Sequence, residues 1–384
     1  MPTSASSRAL RAISRMPSSD LTLLLQVSRE LAASLDLEDV LQTAIESAVR
    51  ALGLDTGAIY LLEGGELILG ATTPPLPPDV PEAFRRETLD RHPHVGRCLR
   101  EREPVALDDW TPDGMTEAER SVCETRGLRS ILYVPVTVAE EAVGAFIVGS
   151  VGAVRAFAEK DVDLCRALAH EIGLALANAR LFESLQRSHE ELARAYDATI
   201  EGWSLALEMR DDETQGHALR VAGIAVELGR AVGIPEEDLV HLRRGALLHD
   251  IGKMVVPDAI LRKPGPLTEE EWAVMRKHPE NGRDFLRKVA YLEPALDVPY
   301  AHHERWDGTG YPHGIRGEEI PLAARVFAVA DAFDALTSDR PYRAAWPEAD
   351  VLEHLERCAG REFDPRVVAV FLAGRAGEKA PGRA

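Results

Sequence analysis

Cysteine, long apolar runs and excess basic charge are all in short supply in this chain. Of 384 residues only four are cysteines, Cys98, Cys123, Cys165 and Cys358, and none stands in the close pairs of a zinc knuckle or a redox CxxC. That excludes a disulfide scaffold and leaves small buried hydrophobes in a reduced, cytoplasmic compartment as the expectation. No apolar stretch approaches the roughly 18 residues a membrane helix needs; segment 130–150 is broken by Pro135, Glu140 and Glu141. A soluble protein with no membrane span is expected. The first residues are Ser-rich, with Arg8, Arg11 and Arg15 but no apolar core of an export signal, so 1–19 reads as a flexible tail, as does 374–384. Lys and Arg total 44 against 63 Asp and Glu, a net charge of -19. Such a field opposes binding to long nucleic acid, although a local basic cluster can still draw in a small anion.

The chain does carry 45% apolar residues, enough for two or three domains with real cores. Leu23, Leu24, Val27 and Leu31, then Val40, Leu41, Ala44, Ile45 and Val49, recur at helical spacing and predict two helices. The period then changes: GAIYLLEGG with ELILGATT, and RSILYVPVTV with EEAVGAFIVGS, predict two strand hairpins. From Asp161 the sequence reads as helix, almost without a breaker, to Met209, far beyond the usual globular length.

Residues 20–183 resemble a GAF domain, through LDLEDVLQTAIESAVRALGLDTGAIYLL, the ILYVPV…GAFIVGS hairpin and the closing FAEKDVDLCRALAHEIGLALANARLFE. The resemblance implies an α/β sensor that binds a small ligand of unknown identity, dimerises, or does both. Phe157 and Asp161 match the end of the signature of cyclic-nucleotide-binding members, but its Asn-Lys and following Glu are missing, so a cyclic nucleotide is not the expected ligand. Segment 184–209 reads as a signalling helix. Between the halves, a stripe of Leu181, Leu185, Leu192, Tyr196, Ile200, Trp203 and Leu207 suits either a parallel coiled coil in a homodimer or a helix packed on its own domain.

In the second half histidines and aspartates follow a particular order. Within DDETQGHALRVAGIAVELGRAVG, Glu213 stands one helical turn before His217, so both are expected on one helix face, where they could share a metal. The alternative for Glu213 is a helix-end charge beside Asp211 and Asp212. ALLHDIGK puts His249 and Asp250 at a helix end. His278 is expected to end a helix that starts at a Thr268–Glu271 capping box and is stopped by Pro279. His302 and His303 precede the loop ERWDGTGYP, and Asp331 lies in the apolar helix PLAARVFAVADAFDAL, where its charge needs a proton, a basic partner or a cation. Imidazole with carboxylate suits iron, manganese or zinc.

HDIGK, HHERWDGTGYP and VADAFDALTSDRPYR, with His217 before them and His278 between them, resemble the HD-GYP branch of the HD phosphohydrolases over residues 196–373. The resemblance implies an all-helical domain. It makes His217, His249, Asp250, His278, His302, His303 and Asp331 metal ligands, with Asp250 bridging two divalent ions, iron or manganese. Glu213 resembles the extra ligand of three-metal members. Gly310, Tyr311 and Pro312 become a structural loop that can face protein partners. Lys253, Arg340 and Arg343 could bind substrate phosphates, the arginines otherwise being surface charges. Asp334, one turn after Asp331, is placed to orient a ligand histidine or the water, or else to cap a helix or form a salt bridge.

The overall expectation is a two-domain protein in which a GAF-like α/β sensor is joined by a long helix to an all-α HD-GYP domain. The implied activity is hydrolysis of cyclic di-GMP to pGpG and then GMP. A phosphohydrolase of another cyclic dinucleotide or nucleotide, and a non-catalytic adaptor acting through the GYP loop, are the alternatives.

Overall fold

The computed structural model describes residues 16–31, 34, 36–77, 80–211, 216–339 and 344–378. The chain divides into two compact units, 1–189 and 190–384. Among the described residues no helix is long and apolar enough to cross a membrane. All four cysteines are free and buried.

The first unit begins with helices α1 (Ser18–Leu31) and α2 (Leu37–Leu52). Asp36 caps α2, its carboxylate accepting from the N–H groups of Glu38 and Asp39 at 3.0 and 3.1 Å. The strands are β1 (Thr56–Glu63), β2 (Glu66–Thr73), β3 (Arg86–Thr88), β4 (Val105–Leu107), β5 (Leu128–Val138) and β6 (Glu141–Val151). They form one antiparallel sheet in the order β3-β2-β1-β6-β5-β4, and both expected hairpins are present. Helices α3 (Pro93–Glu101) and α4 (Glu117–Thr125) belong to the same unit. Alternation along β5 builds two cores: Leu132, Val134 and Val136 pack with Leu41, Ile45 and Leu168, whereas Ile131 and Tyr133 pack with Val95, Cys98 and Cys123.

Helix α5 runs over Glu159–Asp211, 53 residues, and the division between the units falls within it. Its apolar stripe splits in character. Leu181, Leu185, Leu192, Tyr196 and Trp203 are exposed, whereas Ile200 and Leu207 are buried, Ile200 in the core of the second unit.

The second unit is helical: α6 (His217–Val232), α7 (Glu236–Leu247), α8 (Asp258–Leu261), α9 (Glu269–Met275), α10 (His278–Leu286), α11 (Asp297–Ala301), α12 (Leu322–Thr337), α13 (Glu348–Cys358) and α14 (Pro365–Glu378), with 3-10 turns between. Val221, Ala225, Leu247, Phe327, Val329 and Leu355 are at the centre of its core.

Three local expectations are corrected. The helix that begins with the Thr268–Glu271 capping box does form the box, with Glu271 N–H donating to Thr268 Oγ1 and Thr268 N–H to Glu271 Oε2. It ends at Met275, however, and His278 starts α10 with Pro279 in its first turn. Proline there removes an N–H that would have no intrahelical partner anyway, so it opens a helix as readily as it stops one. Second, α6 begins at His217, preceded by Gly216 at φ +77°; His217 is therefore the first residue of its helix, and Glu213 lies outside the described residues. Third, helix already begins at Ser18 and continues to Glu378, inside both stretches expected as tails. Residues 1–15 and 379–384 of those tails, and Arg340 and Arg343, also lie outside the described residues.

Candidate metal centre

Five histidines and two aspartates come together from five parts of the second unit. His217 starts α6, His249 and Asp250 follow α7, His278 starts α10, His302 and His303 follow α11, and Asp331 is on α12. Ring centroids of neighbouring histidines lie 4.0 to 6.0 Å apart from His217 through His249 and His302 to His303.

Packing at a glycine brings two of these parts into register. A Cβ on Gly252 would lie 1.8 Å from the His278 carbonyl oxygen and 2.6 Å from the Gly282 nitrogen, both backbone atoms. Only glycine admits α10 this close to the turn that carries Asp250.

The histidine protons are fixed by what each Nδ1 faces. His249 Nδ1 is 2.7 Å from the Ala246 carbonyl, His278 Nδ1 2.9 Å from that of Met275, and His302 Nδ1 3.1 Å from those of Val298 and Pro299. A carbonyl only accepts, so each Nδ1 carries a proton and donates. His217 Nδ1 likewise donates to Asp334 Oδ2 at 2.7 Å. In a neutral ring Nε2 is then left as a lone pair, and these lone pairs point at one another and at carboxylates. His278 Nε2 lies 3.1 Å from His302 Nε2 and 3.2 Å from Asp250 Oδ1. His249 Nε2 lies 3.0 Å from Asp250 Oδ2, and His217 Nε2 lies 3.2 Å from Asp331 Oδ1.

Burial keeps the His302 and His303 rings neutral. Desolvation, aided by the neighbouring His278 and His249 rings, lowers His302 to about 3. Desolvation and the same kind of crowding push His303 well below the usual range. Burial opposes a charge on Asp250, but the Lys253 ammonium and the His249 ring hold its carboxyl well below the usual carboxylate range. Asp250 Oδ1 is buried and has no hydrogen-bond partner.

Acceptors facing acceptors in a buried place repel unless a cation lies between them, which is the arrangement a divalent metal requires. Asp250, His278, His302 and His303 each offer one ligand atom, all within 4.8 Å of one another. Asp250 turns Oδ1 toward His278 and Oδ2 toward His249, so the residues present fit a centre divided by one shared carboxylate.

Several residues support this set. Asp334 accepts from Arg220 Nε at 2.8 Å as well as from His217. Glu208 accepts from the Gly216 and Ala218 N–H groups at 2.8 Å each and so caps the start of α6. The Tyr311 ring stacks on His303 at 4.6 Å, and its N–H donates to the His303 carbonyl. Gly310 has the Arg305 nitrogen and His303 oxygen where a Cβ would stand. The GYP loop thus folds onto the histidine pair. Lys253 is mostly buried, its Nζ 2.7 Å from Asp250 Oδ2 and 2.5 Å from Asp211 Oδ2. Sequence reading did not single out Glu208, Arg220 or Asp211 as site residues. Nothing in the sequence pointed to Glu208; Arg220, one turn after His217, was the signal for Asp334's partner.

A GAF fold followed by a helical unit with an HD-type histidine and aspartate cluster defines the class. Residues 34–177 match the GAF domain family and residues 203–367 the HD domain family, and the chain combines the two. Among known proteins, it is 34% identical over 251 residues to 3'3'-cGAMP-specific phosphodiesterase 2 of Vibrio cholerae, covering 65% of this chain and 44% of that one. It is 41% identical over 198 residues to a cyclic di-GMP phosphodiesterase response regulator of Xanthomonas campestris, covering 51% and 52%. It is 43% identical over 169 residues to a cyclic di-GMP phosphodiesterase of Pseudomonas aeruginosa, covering 43% and 40%. The chain thus spans about half the length of the curated relatives it matches.

Proposed function

We propose that this protein is a cytoplasmic, dimeric, metal-dependent phosphodiesterase that opens cyclic di-GMP to linear pGpG, and to GMP when both ester bonds are cut, under control of its GAF domain. The observation that carries the reading is the convergence of buried Nε2 lone pairs on the two oxygens of Asp250. His217, His249, Asp250, His278, His302, His303 and Asp331 would hold the cations, iron or manganese by the mixed imidazole and carboxylate donors. Bound divalent ions supply an acidified water and neutralise the charge that grows on a phosphodiester. The protein's own groups do the rest: Asp334 holds His217 in one tautomer, and the backbone carbonyls do the same for His249, His278 and His302. Arg340 and Arg343 are assigned to the substrate phosphates, and Glu213 to a third ion. The exposed Leu181, Leu185 and Leu192 of α5 support pairing with a second copy.

A second reading, 3'3'-cGAMP as substrate, is favoured by the Vibrio cholerae relative, which covers the largest share of this chain among the three. Both are tested by anaerobic purification, elemental analysis and product identification with each cyclic dinucleotide in turn. Faster release of pGpG or GMP from cyclic di-GMP supports the first substrate. No product from either, with metal fully loaded, favours another nucleotide or an adaptor acting through the GYP loop.

A further inference from the structure

A cleft of about 330 Å³ lies in the second unit between the start of α7, the 3-10 turn Ala290–Ala295, α11 and the start of α12. Ile234, Leu242, Val298 and Leu322 form apolar walls, and the polar lining is Asp238, His241 and Asp297. Asp238 and His241 stand one turn apart on α7 and so share a face of it. The cleft is apart from the metal centre: on α12, Leu322 and Asp331 are separated by about 14 Å along the helix.

The charge on this lining is of one sign. No Lys or Arg side chain contributes to it, and neither Asp238 nor Asp297 has an ion-pair partner among the described residues. Withdrawal of water raises the Asp297 carboxyl above the usual carboxylate range, with no cation acting against it. His241 Nδ1 is buried and has no hydrogen-bond partner, which costs free energy until a ligand or water meets it. Among the described residues, donor atoms gather within 4.8 Å of one another at Asp250, His278, His302 and His303 and not at these three, so the cleft does not suit a bare metal ion. Carboxylates at an exposed rim above apolar walls suit instead an ammonium on an apolar stem, which keeps its charge at the rim and buries the rest.

We propose that this cleft binds a small organic cation, a primary amine carried on an apolar body, at a site separate from the metal centre. The ammonium pairs with Asp238 and Asp297, and the apolar walls cover the body. A primary amine is protonated at neutral pH, as a lysine side chain is. A neutral molecule of the same shape lacks the attraction, and an anion meets two like charges. Helices α7, α11 and α12 run on from the cleft to His249, His302 and Asp331, so an occupant bridges the far ends of elements that carry the centre.

The test is a ligand-observed NMR titration of the full-length chain with phenethylamine at about 0.15 M salt, which screens the general attraction of an acidic protein for cations. Phenethylamine binds with a dissociation constant of about 1 mM or lower. Phenethyl alcohol binds at least about tenfold more weakly, and phenylacetate does not bind. Asp238→Asn and Asp297→Asn each weaken the amine about fivefold, the effect of one charge at contact distance in water; both residues are exposed, so the fold is kept. Ala323→Phe fills the cleft without changing a charge and removes binding, which separates the cleft from other acidic surface. No binding of phenethylamine below about 10 mM, equal binding of the alcohol, or unchanged affinity in Ala323→Phe or in both aspartate variants overturns the proposal. None of these readouts involves turnover or metal, so their failure leaves the metal-centre reading standing.

Discussion

His217 and Asp334, 117 positions apart in the chain, meet through a 2.7 Å hydrogen bond between Nδ1 and Oδ2. The bond commits Nδ1 as donor and turns Nε2 toward Asp331. Asp334→Ala is expected to lower metal affinity about ten- to hundredfold, as loss of a histidine's outer partner does. Asp334→Asn is expected to do less harm, since its amide oxygen can still accept from Nδ1. Chelator competition checks both; equal losses in the two variants would mean that charge, and not orientation, is what His217 needs.

Asp250 faces His278 with one oxygen and His249 with the other. Asp250→Ala should therefore empty both halves of the centre and not only one, and should lower turnover about a hundredfold or more through lost electrostatic stabilisation. Elemental analysis beside a rate assay decides this; retention of full metal content would end the shared-carboxylate assignment.

Gly252 has no room for a side chain, with the His278 carbonyl 1.8 Å from an added Cβ. Because the obstacle is backbone, Gly252→Ala forces α10 away from the turn and is expected to cost at least the roughly 1–3 kcal/mol of an overpacked core. Denaturant unfolding reads the stability loss. Metal content falls with it, since His278 rides on the displaced helix.

Metal removal should act on one unit alone. A ligand that binds only the folded state adds about 2.7 kcal/mol when present at a hundred times its dissociation constant. Chelation is accordingly expected to lower the melting temperature of the HD unit by several degrees, leaving the GAF unit's transition where it was. Calorimetry with and without chelator tests this, and a shift in both transitions would contradict the assignment of every ligand to the second unit.

Much of this protein was legible in order and spacing alone. Both hairpins, the 53-residue helix and the Thr268–Glu271 capping box are local patterns, set by neighbours within a few positions. The HDIGK and HHERWDGTGYP motifs mark His249, Asp250, His302 and His303 by order and spacing alone. The position of His278 was misread because Pro279 is compatible with both the end of one helix and the start of the next, and only the packing of α10 against Gly252 selects between them. The start of α6 was misplaced for a similar reason: periodicity alone runs the helix through Gly216, whose left-handed backbone sets the helix start at His217.

What the sequence by itself determined is thus the identity of the chemical groups and the elements that carry them. What the tertiary structure decided is which groups face each other: Asp334 on His217, Asp211 on Lys253, Glu208 beneath the first turn of α6, Tyr311 on His303. Those contacts join residues 8 to 117 positions apart, and most of them depend on how separate helices pack. A short stretch of chain specifies its own dihedral preferences and apolar face. The direction of a buried proton or charge is specified only when another element arrives to accept it.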